Sequence, residues 1–175
     1  MKTALLLTLL ALLLPSVGCV SGRGFPPNHQ IVNFDWVVPG EVARGGQLNR
    51  NSVIALREAR FGSIIDLKKE SESLPGLEDL ARSTGMAYYH FPLDGLNPPD
   101  INQLEKVVSI LEGCPKPVFI GCVHGCERTG ICVAAYRVSH GWSPKKALQE
   151  ADYYDMVKGL GWRRAILHLR WENFQ

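Results

Sequence analysis

The sequence predicts a single α/β domain, with a mostly parallel sheet of about four to five strands flanked by helices. Three observations support this fold. Short apolar, β-branched runs alternate along the chain with longer segments in which apolar residues have helical spacing. The composition is that of a globular protein, 46% hydrophobic and 21% charged, and 175 residues suit one domain. No internal repeat or low-complexity tract interrupts the pattern.

The first residues carry a targeting segment that we exclude from the fold. One lysine precedes an apolar run from Ala4 to Leu14, and Pro15 and small residues follow. This layout is typical of a secretory signal peptide over residues 1–18, and the run is shorter than the about 20 residues that span a bilayer. We expect residues 19–32 to form an exported tether and residues 33–175 to form the domain.

Two interpretations of the cleavage site remain open. The stretch "SVGC" resembles a bacterial lipoprotein box, in which Cys19 becomes the lipidated N-terminus, although Ser16 stands where such boxes usually have leucine. Ser16 and Gly18 also satisfy the small-x-small rule of an ordinary signal peptidase. We favour the lipoprotein because it explains the cysteine. Either cleavage exports the chain to the periplasm or cell surface, and lipidation would tether it to a membrane.

The first half of the domain shows strands and helices in turn. Two short β-rich runs flank a turn at Pro39-Gly40, and a helical pattern over 51–61 is expected to stop at Gly62. Residues 63–67 predict a buried strand, residues 76–84 a short helix ended by Gly85, and residues 87–93 the next strand.

The second half continues the alternation. Asp100 is expected to cap a helix over 101–113, and residues 117–121 predict another strand. A mostly apolar helix over 129–140 ends at Gly141, and Ser143 and Pro144 begin the next one. A last helical pattern covers 162–174. The order of elements places helices on both faces of the sheet.

Charge and cysteine usage narrow the function. There are 19 Lys and Arg against 17 Asp and Glu, and removal of Lys2 with the signal leaves 18 − 17 = +1. Without a long run of like charge, a nucleic-acid partner is not indicated, so any anion site is local. Besides Cys19, four cysteines lie within 19 residues (Cys114, Cys122, Cys126 and Cys132), unlike a disulfide framework.

The stretch "VFIGCVHGCERTG", residues 118–130, lies where a central strand leads into a helix. Ligands bind at this end of the strands in open α/β sheets. Gly121 and Gly125 allow unusual backbone angles, so that successive N–H groups can form an anion nest at a helix N-terminus. The helix dipole and Arg128 favour a thiolate at Cys122, and Arg128 can donate two parallel hydrogen bonds to phosphate. The Thr129 hydroxyl is close enough in sequence to reach the sulfur.

These residues resemble a known family. "CVHGCERTG" is similar to the C-x-x-G-x-x-R-[ST]-G signature of the cysteine-dependent protein tyrosine phosphatases, in particular their small dual-specificity-like branch. Residues 37–70, with an Arg-x-x-Gln and an Asp-Leu-Lys, resemble the family's opening pattern. Residues 91–100, "FPLDGLNPPD", resemble its acid loop, and residues 136–151 its later helices. The resemblance covers Asn33 to Ala151.

The resemblance implies a two-step phosphatase reaction. Cys122 attacks phosphorus to form a cysteinyl-phosphate, an aspartic acid protonates the leaving group, and the same residue then activates water. No metal or organic cofactor is needed, because the loop supplies the stabilising charge. The implied phosphate-binding residues are Val123, His124, Gly125, Cys126, Glu127, Arg128 and Thr129. The partner is a phosphorylated protein or a small phosphomonoester.

Three carboxyl groups are candidates for the acid. Asp100 is expected to cap a helix, and Asp66 ends a strand at a position that is structural in the family. Asp94 follows a strand that should neighbour the loop, and Gly95 permits movement there. Related phosphatases place their acid in a similar Asp-Gly stretch followed by Pro-Asp. We therefore expect Asp94 to be the general acid.

Several other interpretations remain open. Gly121 stands where the family usually has histidine, which could slow the reaction and supports a binding module without turnover. A rhodanese-like sulfurtransferase also holds a cysteine in an anion-binding loop. Cys122, Cys126 and His124 form an incomplete zinc set. Arg44 and Gln47 either build the floor of the site or bond local backbone. Cys132 is expected in the core, Cys114 to have no special role, and His90 and His168 to be structural.

Substrate and redox behaviour rest on the same loop. Glu127 would repel additional phosphates, which favours phosphotyrosine-like or small monoesters over inositol phosphates. Basic residues elsewhere could offset this repulsion, namely Lys68, Lys69, Arg163 and Arg164. Export into an oxidising compartment suggests that Cys126 could form a reversible disulfide with Cys122.

Overall fold

A computed structural model describes residues 31–156 and 160–174. The signal peptide, Cys19 and nearly all of the expected tether therefore lie outside the described residues. In the described part, no helix combines the length and the apolar character that a membrane crossing would need.

A five-stranded sheet forms the centre of the domain, and it confirms the mostly parallel arrangement. The strands are β1 (Asp35–Val38), β2 (Val42–Gly45), β3 (Ser63–Asp66), β4 (Ala87–His90) and β5 (Val118–Gly121). Their order in the sheet is β1-β2-β5-β3-β4. Only the pairing of β1 with β2 is antiparallel, and β5 lies in the middle, with parallel neighbours on both sides.

Helices cover both faces of this sheet, as predicted. The described helices are α1 (Arg50–Glu58), α2 (Leu77–Ser83), α3 (Ile101–Gly113), α4 (Glu127–Ser139), α5 (Pro144–Tyr153) and α6 (Leu160–Leu167), with 3₁₀ helices at Glu70–Glu72 and Trp171–Phe174. One core, packed against α3 to α6, buries Ile65 and Ile120; the other, packed against α1 and α2, buries Ile64 and Phe119. Alternate residues of one strand thus enter opposite cores.

Some predicted boundaries were wrong. Helix α1 ends at Glu58 rather than near Gly62, because Arg60 adopts a left-handed φ of 66° that helical backbone cannot continue. Helix α4 begins at Glu127, two residues before the predicted start, since the end of the phosphate loop already has helical geometry. The strands that begin at Ser63 and Ala87 were predicted to end at residues 67 and 93. Each has only four residues, and they end at Asp66 and His90.

Candidate active site

The candidate site lies at the carboxyl end of β5, the central strand. In the sheet register, Gly121 is level with Gly45 of β2 and Asp66 of β3, so three strands end together. Cys122 follows directly and is buried, with 3% of its surface exposed. The loop from Cys122 to Arg128 then wraps over the strand ends and leads into α4. The sheet therefore places this loop where open α/β sheets bind ligands.

The two glycines of the loop region serve different purposes. Gly125 has a φ of +77°, and a Cβ atom there would lie 2.7 Å from the carbonyl carbon of Gly45. Gly121 has no such backbone angle, contrary to our expectation; a Cβ atom there would lie 2.7 Å from the Phe119 ring and 3.0 Å from the Gly45 carbonyl oxygen. A side chain at position 121 would require the Phe119 ring to shift, which is a packing reason for Gly121.

Donors from outside the loop hold three successive loop carbonyls. They come from the segment before β1, from β2 and from the residues after β2. The Asn33 side-chain amide donates to the His124 carbonyl at 3.0 Å, the Arg44 guanidinium to Gly125 at 2.5 Å, and the Gln47 backbone N–H to Val123 at 2.9 Å. Each carbonyl is thereby directed away from the centre of the loop.

These bonds orient the backbone N–H groups. In a trans peptide, the carbonyl and the following N–H point in opposite directions. The N–H groups of His124, Gly125 and Cys126 are therefore directed toward the concave side, and that of Gly125 lies 3.3 Å from the Cys122 sulfur. Because the hydrogen bonds to the three carbonyls fix these peptide planes, the N–H donors need little reorganisation to receive an oxyanion.

Arg128 is held rigidly at the start of α4. Its guanidinium is 6% exposed and forms a bidentate ion pair with Glu72, with Nη1–Oε2 at 2.5 Å and Nη2–Oε1 at 3.0 Å. Nη1 also approaches the carbonyls of Leu67 and Leu93. None of these bonds uses Nε, so the edge formed by Nε and Nη2 remains available to phosphate.

The Glu72–Arg128 pair also determines the charge state of both groups. Burial alone would lower the pKa of Arg128, but the Glu72 carboxylate and the nearby Cys122 outweigh it, so that the pKa is raised. The hydrogen bond from Arg128 holds the pKa of Glu72 below its usual value, and the Lys69 backbone N–H adds to this effect. Arg128 is thus a permanent cation beside Cys122.

Arg44 lies beneath the loop and is 1% exposed. Its guanidinium stacks on the Tyr154 ring at 3.8 Å from the centroid, and burial lowers its pKa although Tyr154, Glu150 and Cys122 oppose this effect. In the described residues, Nε and Nη1 have no hydrogen-bond partner. Of the two expected floor residues, Arg44 contacts the loop with its side chain, whereas Gln47 does so through its backbone.

Asp94 lies in an exposed loop, residues 91–99, that passes over Arg128. A Cβ atom on Gly95 would be 3.6 Å from the Arg128 guanidinium. The Asp94 carboxylate forms an ion pair with Lys69 at 2.8 Å and accepts from the Asn97 amide at 2.8 Å and the Leu96 N–H at 3.1 Å. The hydrogen bond from Lys69, followed by those from Asn97 and Leu96, holds the pKa of Asp94 far below its usual range.

The other two carboxyl candidates are occupied elsewhere. Asp100 caps α3, as predicted, by accepting from the Gln103 N–H at 2.9 Å. Asp66 is buried, accepts from the Tyr88 hydroxyl at 2.6 Å and pairs with the Lys68 ammonium at 3.6 Å. Burial and the hydrogen bond to Asp66 raise the pKa of Tyr88. Asp66 also interacts electrostatically with Arg128, but its carboxylate is buried and bonded, so the structure leaves Asp94, next to Gly95 in the loop over Arg128, as the exposed candidate.

Asp66 and Lys68 also line a cavity that reaches Gly121 and Cys122. The cavity thus brings the last residue of β3 and the second residue after that strand close to Cys122, on the face of the sheet covered by α1 and α2. Lys68 is therefore a buried cation rather than part of an open basic surface, and its Nζ has no hydrogen-bond partner within the described ranges.

Cys126 and Thr129 complete the loop. The Thr129 hydroxyl donates to the Gly45 carbonyl at 3.4 Å, so it does not take the expected place on the sulfur. Cys126 accepts from Asn33 at 3.3 Å, and burial and Glu127 raise the pKa of its thiol, which disfavours attack on an oxidised partner. The cysteines of the described residues are free thiols. A bond between Cys122 and Cys126 stays a prediction.

The remaining candidates lie in structural contacts. His90 contacts the Lys68 carbonyl at 2.8 Å and Glu70 at 3.4 Å. Arg163 pairs with Asp152. Cys132 is fully buried in α4, and burial raises the pKa of its thiol. Burial in α4 agrees with the core position expected for Cys132.

The fold brings three distant residues to the site: Asn33 and Glu72, which the sequence analysis did not single out, and Lys69, which it named only as a basic residue that could offset repulsion. Asn33 is 91 positions from the loop residue it contacts, Glu72 is 56 from Arg128, and Lys69 is 25 from Asp94. Glu72 and Lys69 follow β3, which pairs with β5, whereas the strand that we expected beside the loop, the one before Asp94, is separated from β5 by β3. Nothing in the local pattern at Asn33 indicated a role.

A comparison with known protein families identifies the family of this chain. Residues 26–164 match the family described as DSP-PTPase phosphatase fused to NAD+ kinase. The chain belongs to this family. The predicted class, a cysteine-dependent phosphatase of the dual-specificity type, is thereby confirmed, and the match favours it over the sulfurtransferase alternative.

Individual relatives of this phosphatase domain agree on the class. Inositol diphosphatase DSP5 of Arabidopsis thaliana is 29% identical over 147 residues, 81% of this chain and 67% of the relative. A receptor-type tyrosine-protein phosphatase of Caenorhabditis elegans is 27% identical over 113 residues, which is 61% of this chain but only 8% of the relative. The chain thus corresponds to a small part of the receptor.

Solved structures support the fold. The core catalytic domain of the PP-IP phosphatase SIW14 from S. cerevisiae, crystallised with citrate, is 25% identical with a TM-score of 0.68, over 79% of this chain and 85% of that one. A DUF442 phosphatase from Shewanella putrefaciens has a TM-score of 0.66 at 20% identity, over 78% and 89% of the two chains. The fold of this phosphatase domain is confirmed by both.

Proposed function

We propose that the chain hydrolyses phosphoric monoesters through a cysteinyl-phosphate on Cys122. The observation that carries this proposal is the Gly125 N–H, which lies 3.3 Å from the Cys122 sulfur, in a loop where Arg128 interacts electrostatically with the same sulfur and keeps its Nε free of the bonds to Glu72. This arrangement supplies donors to three non-bridging oxygens while the sulfur lies behind the phosphorus. The loop thereby stabilises the charge of the transition state.

The first step forms an S–P bond and breaks the ester P–O bond. The Cys122 thiolate supplies the electron pair, and Asp94 transfers its proton to the departing oxygen. In the second step Asp94, now ionised, takes a proton from water as the water oxygen attacks phosphorus. The S–P bond breaks, inorganic phosphate leaves and the thiolate is restored.

Asp94 can donate a proton only after its contacts change. In this structure it is an ionised partner of Lys69, Asn97 and Leu96. The anionic substrate would compete for Lys69 and would itself disfavour a second negative charge nearby, and both effects favour the protonated acid. We infer that entry of the substrate loosens this ion pair.

Phosphotyrosine-like or small monoesters are the substrates that we propose. Glu127, which is partly exposed in the loop, disfavours additional phosphates near the reacting one. An inositol phosphate or diphosphate is the second candidate, supported by the names of the Arabidopsis and yeast relatives and by Lys69, which is 47% exposed beside Asp94.

Release of inorganic phosphate from three substrate sets tests the proposal. A phosphotyrosine peptide, an inositol diphosphate and thiosulfate are offered separately to the purified chain, with Cys122→Ala as the control. We expect the parent chain to release phosphate from the phosphotyrosine peptide, and Cys122→Ala to release none. Higher kcat/KM on the inositol diphosphate would select the second candidate, and sulfur transfer without phosphate release would refute both.

We also propose that the mature chain is exported and anchored through lipidated Cys19, on the basis of the signal-like residues 1–18 and the cysteine that follows them. The full-length chain is expressed in a bacterium with radiolabelled palmitate, beside Cys19→Ser. We expect label and membrane association in the parent alone. Export of an unlabelled parent chain would show ordinary signal cleavage instead.

A further inference from the structure

Asn33 lies outside the phosphate loop but contacts it at two points. Its Nδ2 donates to the His124 carbonyl at 3.0 Å and contacts the Cys126 sulfur at 3.3 Å. Asn33 has a left-handed φ of 54°, a conformation that asparagine tolerates better than most residues. The backbone at this position therefore favours the residue type whose side chain makes the contact.

The first contact acts on a single peptide group. The His124 carbonyl and the Gly125 N–H belong to the same peptide plane and point in opposite directions. Asn33 holds the carbonyl outward, and the Gly125 N–H accordingly points at the Cys122 sulfur at 3.3 Å. Gly125 is the loop residue with the widest choice of backbone angles, so this plane would rotate most readily without an external bond.

The neighbouring peptide planes have their own supports. The Gln47 N–H holds the Val123 carbonyl, and buried Arg44 holds that of Gly125. For the middle plane, Asn33 is the support from outside the loop, beside a longer contact of 3.6 Å from the Cys126 thiol to the same His124 carbonyl. The Asn33 side chain is partly exposed rather than fixed in the core. Its contribution can be removed without opening a buried cavity.

We propose that Asn33 is a positioning residue that holds the 124–125 peptide so that the Gly125 N–H stabilises the Cys122 thiolate. This inference rests on the proposed function in one respect, that Cys122 is the nucleophile. The charged and titratable groups around Cys122 come from several elements: Arg44 of β2, Asp66 at the end of β3, Lys68 after it, Arg128 and Cys132 of α4, and Cys126 of the loop. Replacement of Asn33 leaves all six residues in the chain, and among them Asn33 hydrogen-bonds Cys126.

Asn33→Gly tests the proposal, because glycine accepts the left-handed φ and removes only the amide. Arg60→Gly is the matched control, since Arg60 also has a left-handed φ, of 66°, but lies exposed after α1. The pH dependence of iodoacetamide alkylation at Cys122, followed by peptide mass spectrometry, is measured on the full chain. Unlike turnover, this readout needs no substrate.

We expect the midpoint of Cys122 alkylation to rise by about one pH unit in Asn33→Gly, because the thiolate would lose one hydrogen bond. In Arg60→Gly the midpoint should stay unchanged. Asn33→Asp, which keeps the backbone preference but cannot donate from its ionised side chain, should raise it at least as much. An unchanged midpoint in either folded Asn33 variant would overturn the proposal.

Turnover separates this inference from the proposed function. If Asn33 acts as proposed, kcat/KM on a phosphotyrosine peptide also falls about tenfold in Asn33→Gly at neutral pH. If the alkylation midpoint shifts in the Asn33 variants but the parent chain releases no phosphate, the phosphatase proposal is refuted and the role of Asn33 stands. Should both Asn33 variants prove unfolded by circular dichroism, with Arg60→Gly folded, the residue is structural and the proposal fails.

Discussion

The phosphate loop and the acid loop hold their functional groups by opposite means. The phosphate loop buries Cys122, Gly125, Cys126 and Arg128. Donors from Asn33, Arg44 and Gln47 fix three of its carbonyls. The acid loop, residues 91–100, has an exposed tip: Leu96 is 84% accessible, and Asp94 is held by an ion pair with Lys69 and by short local bonds.

The difference follows from what each loop has to do. An oxyanion site is effective when its donors already point at the charge, because reorganisation during the reaction would cost energy. A general acid must gain and lose a proton in each cycle, and therefore needs contacts that can be broken. An exposed ion pair contributes little to stability, about 0–1 kcal/mol, and is easily broken.

The largest expected effect lies in the fixed loop. Cys122→Ser should abolish turnover while it retains phosphate binding, because the serine hydroxyl is not ionised at neutral pH, whereas the loop donors are unchanged. Phosphate release and isothermal titration with vanadate or phosphate measure the two properties. Substantial activity in this variant would remove the sulfur from the mechanism.

Arg128→Lys tests the geometry of the same loop. We expect kcat/KM to fall by about 10³ or more, since an ammonium cannot pair with Glu72 and phosphate through two parallel edges at once. The exposed Arg57 of α1 provides the control, Arg57→Lys. A loss of less than tenfold would show that charge alone is sufficient at this position.

Asp94→Asn tests the exposed loop. The rate on alkyl or tyrosyl phosphates should fall by about 10² to 10⁴, with a smaller loss on p-nitrophenyl phosphate, whose leaving group needs no proton. Asp100→Asn is the comparison, and it should chiefly weaken the start of α3. If Asp100→Asn lowers phosphotyrosine turnover by that factor and Asp94→Asn does not, the acid has been misassigned.

The smallest effect concerns the Lys69–Asp94 ion pair. Lys69 lowers the pKa of Asp94, and activity that needs protonated Asp94 is lost as the pH rises through that pKa. Lys69→Met should therefore move the alkaline limb of the kcat/KM profile to higher pH, by about one unit at low salt and less at high salt.

Two variants bracket this prediction. Lys69→Arg keeps the charge, so the alkaline limb of its kcat/KM profile should match that of the parent chain. Lys145→Met removes an exposed charge from α5 and should not move this limb. In the background of Asp94→Asn, the effect of Lys69→Met on the limb should vanish. A limb that moves in that background would assign the effect to another group.

Much of the molecule followed from local sequence patterns. Asp100, the apolar face over 101–113 and Ser143 with Pro144 predicted two helices within a residue of their observed starts, because caps and periodicity act over a single turn. The order of strands and helices predicted helices on both faces. The spacing of Cys122 and Arg128 predicted the loop, since both residues belong to one short segment.

The supports of that loop were decided by the tertiary structure. Asn33, Glu72 and Lys69 act on residues far along the chain. The first two reach the loop because β5 lies between β2 and β3, and Lys69 reaches Asp94 because β3 pairs with β4. No local pattern encodes which strands become neighbours. Residues 118–130 thus predicted the nucleophile and its anion site from the sequence. The packing of distant segments determined which peptide planes are held, which edge of Arg128 is free and which partner keeps Asp94 ionised.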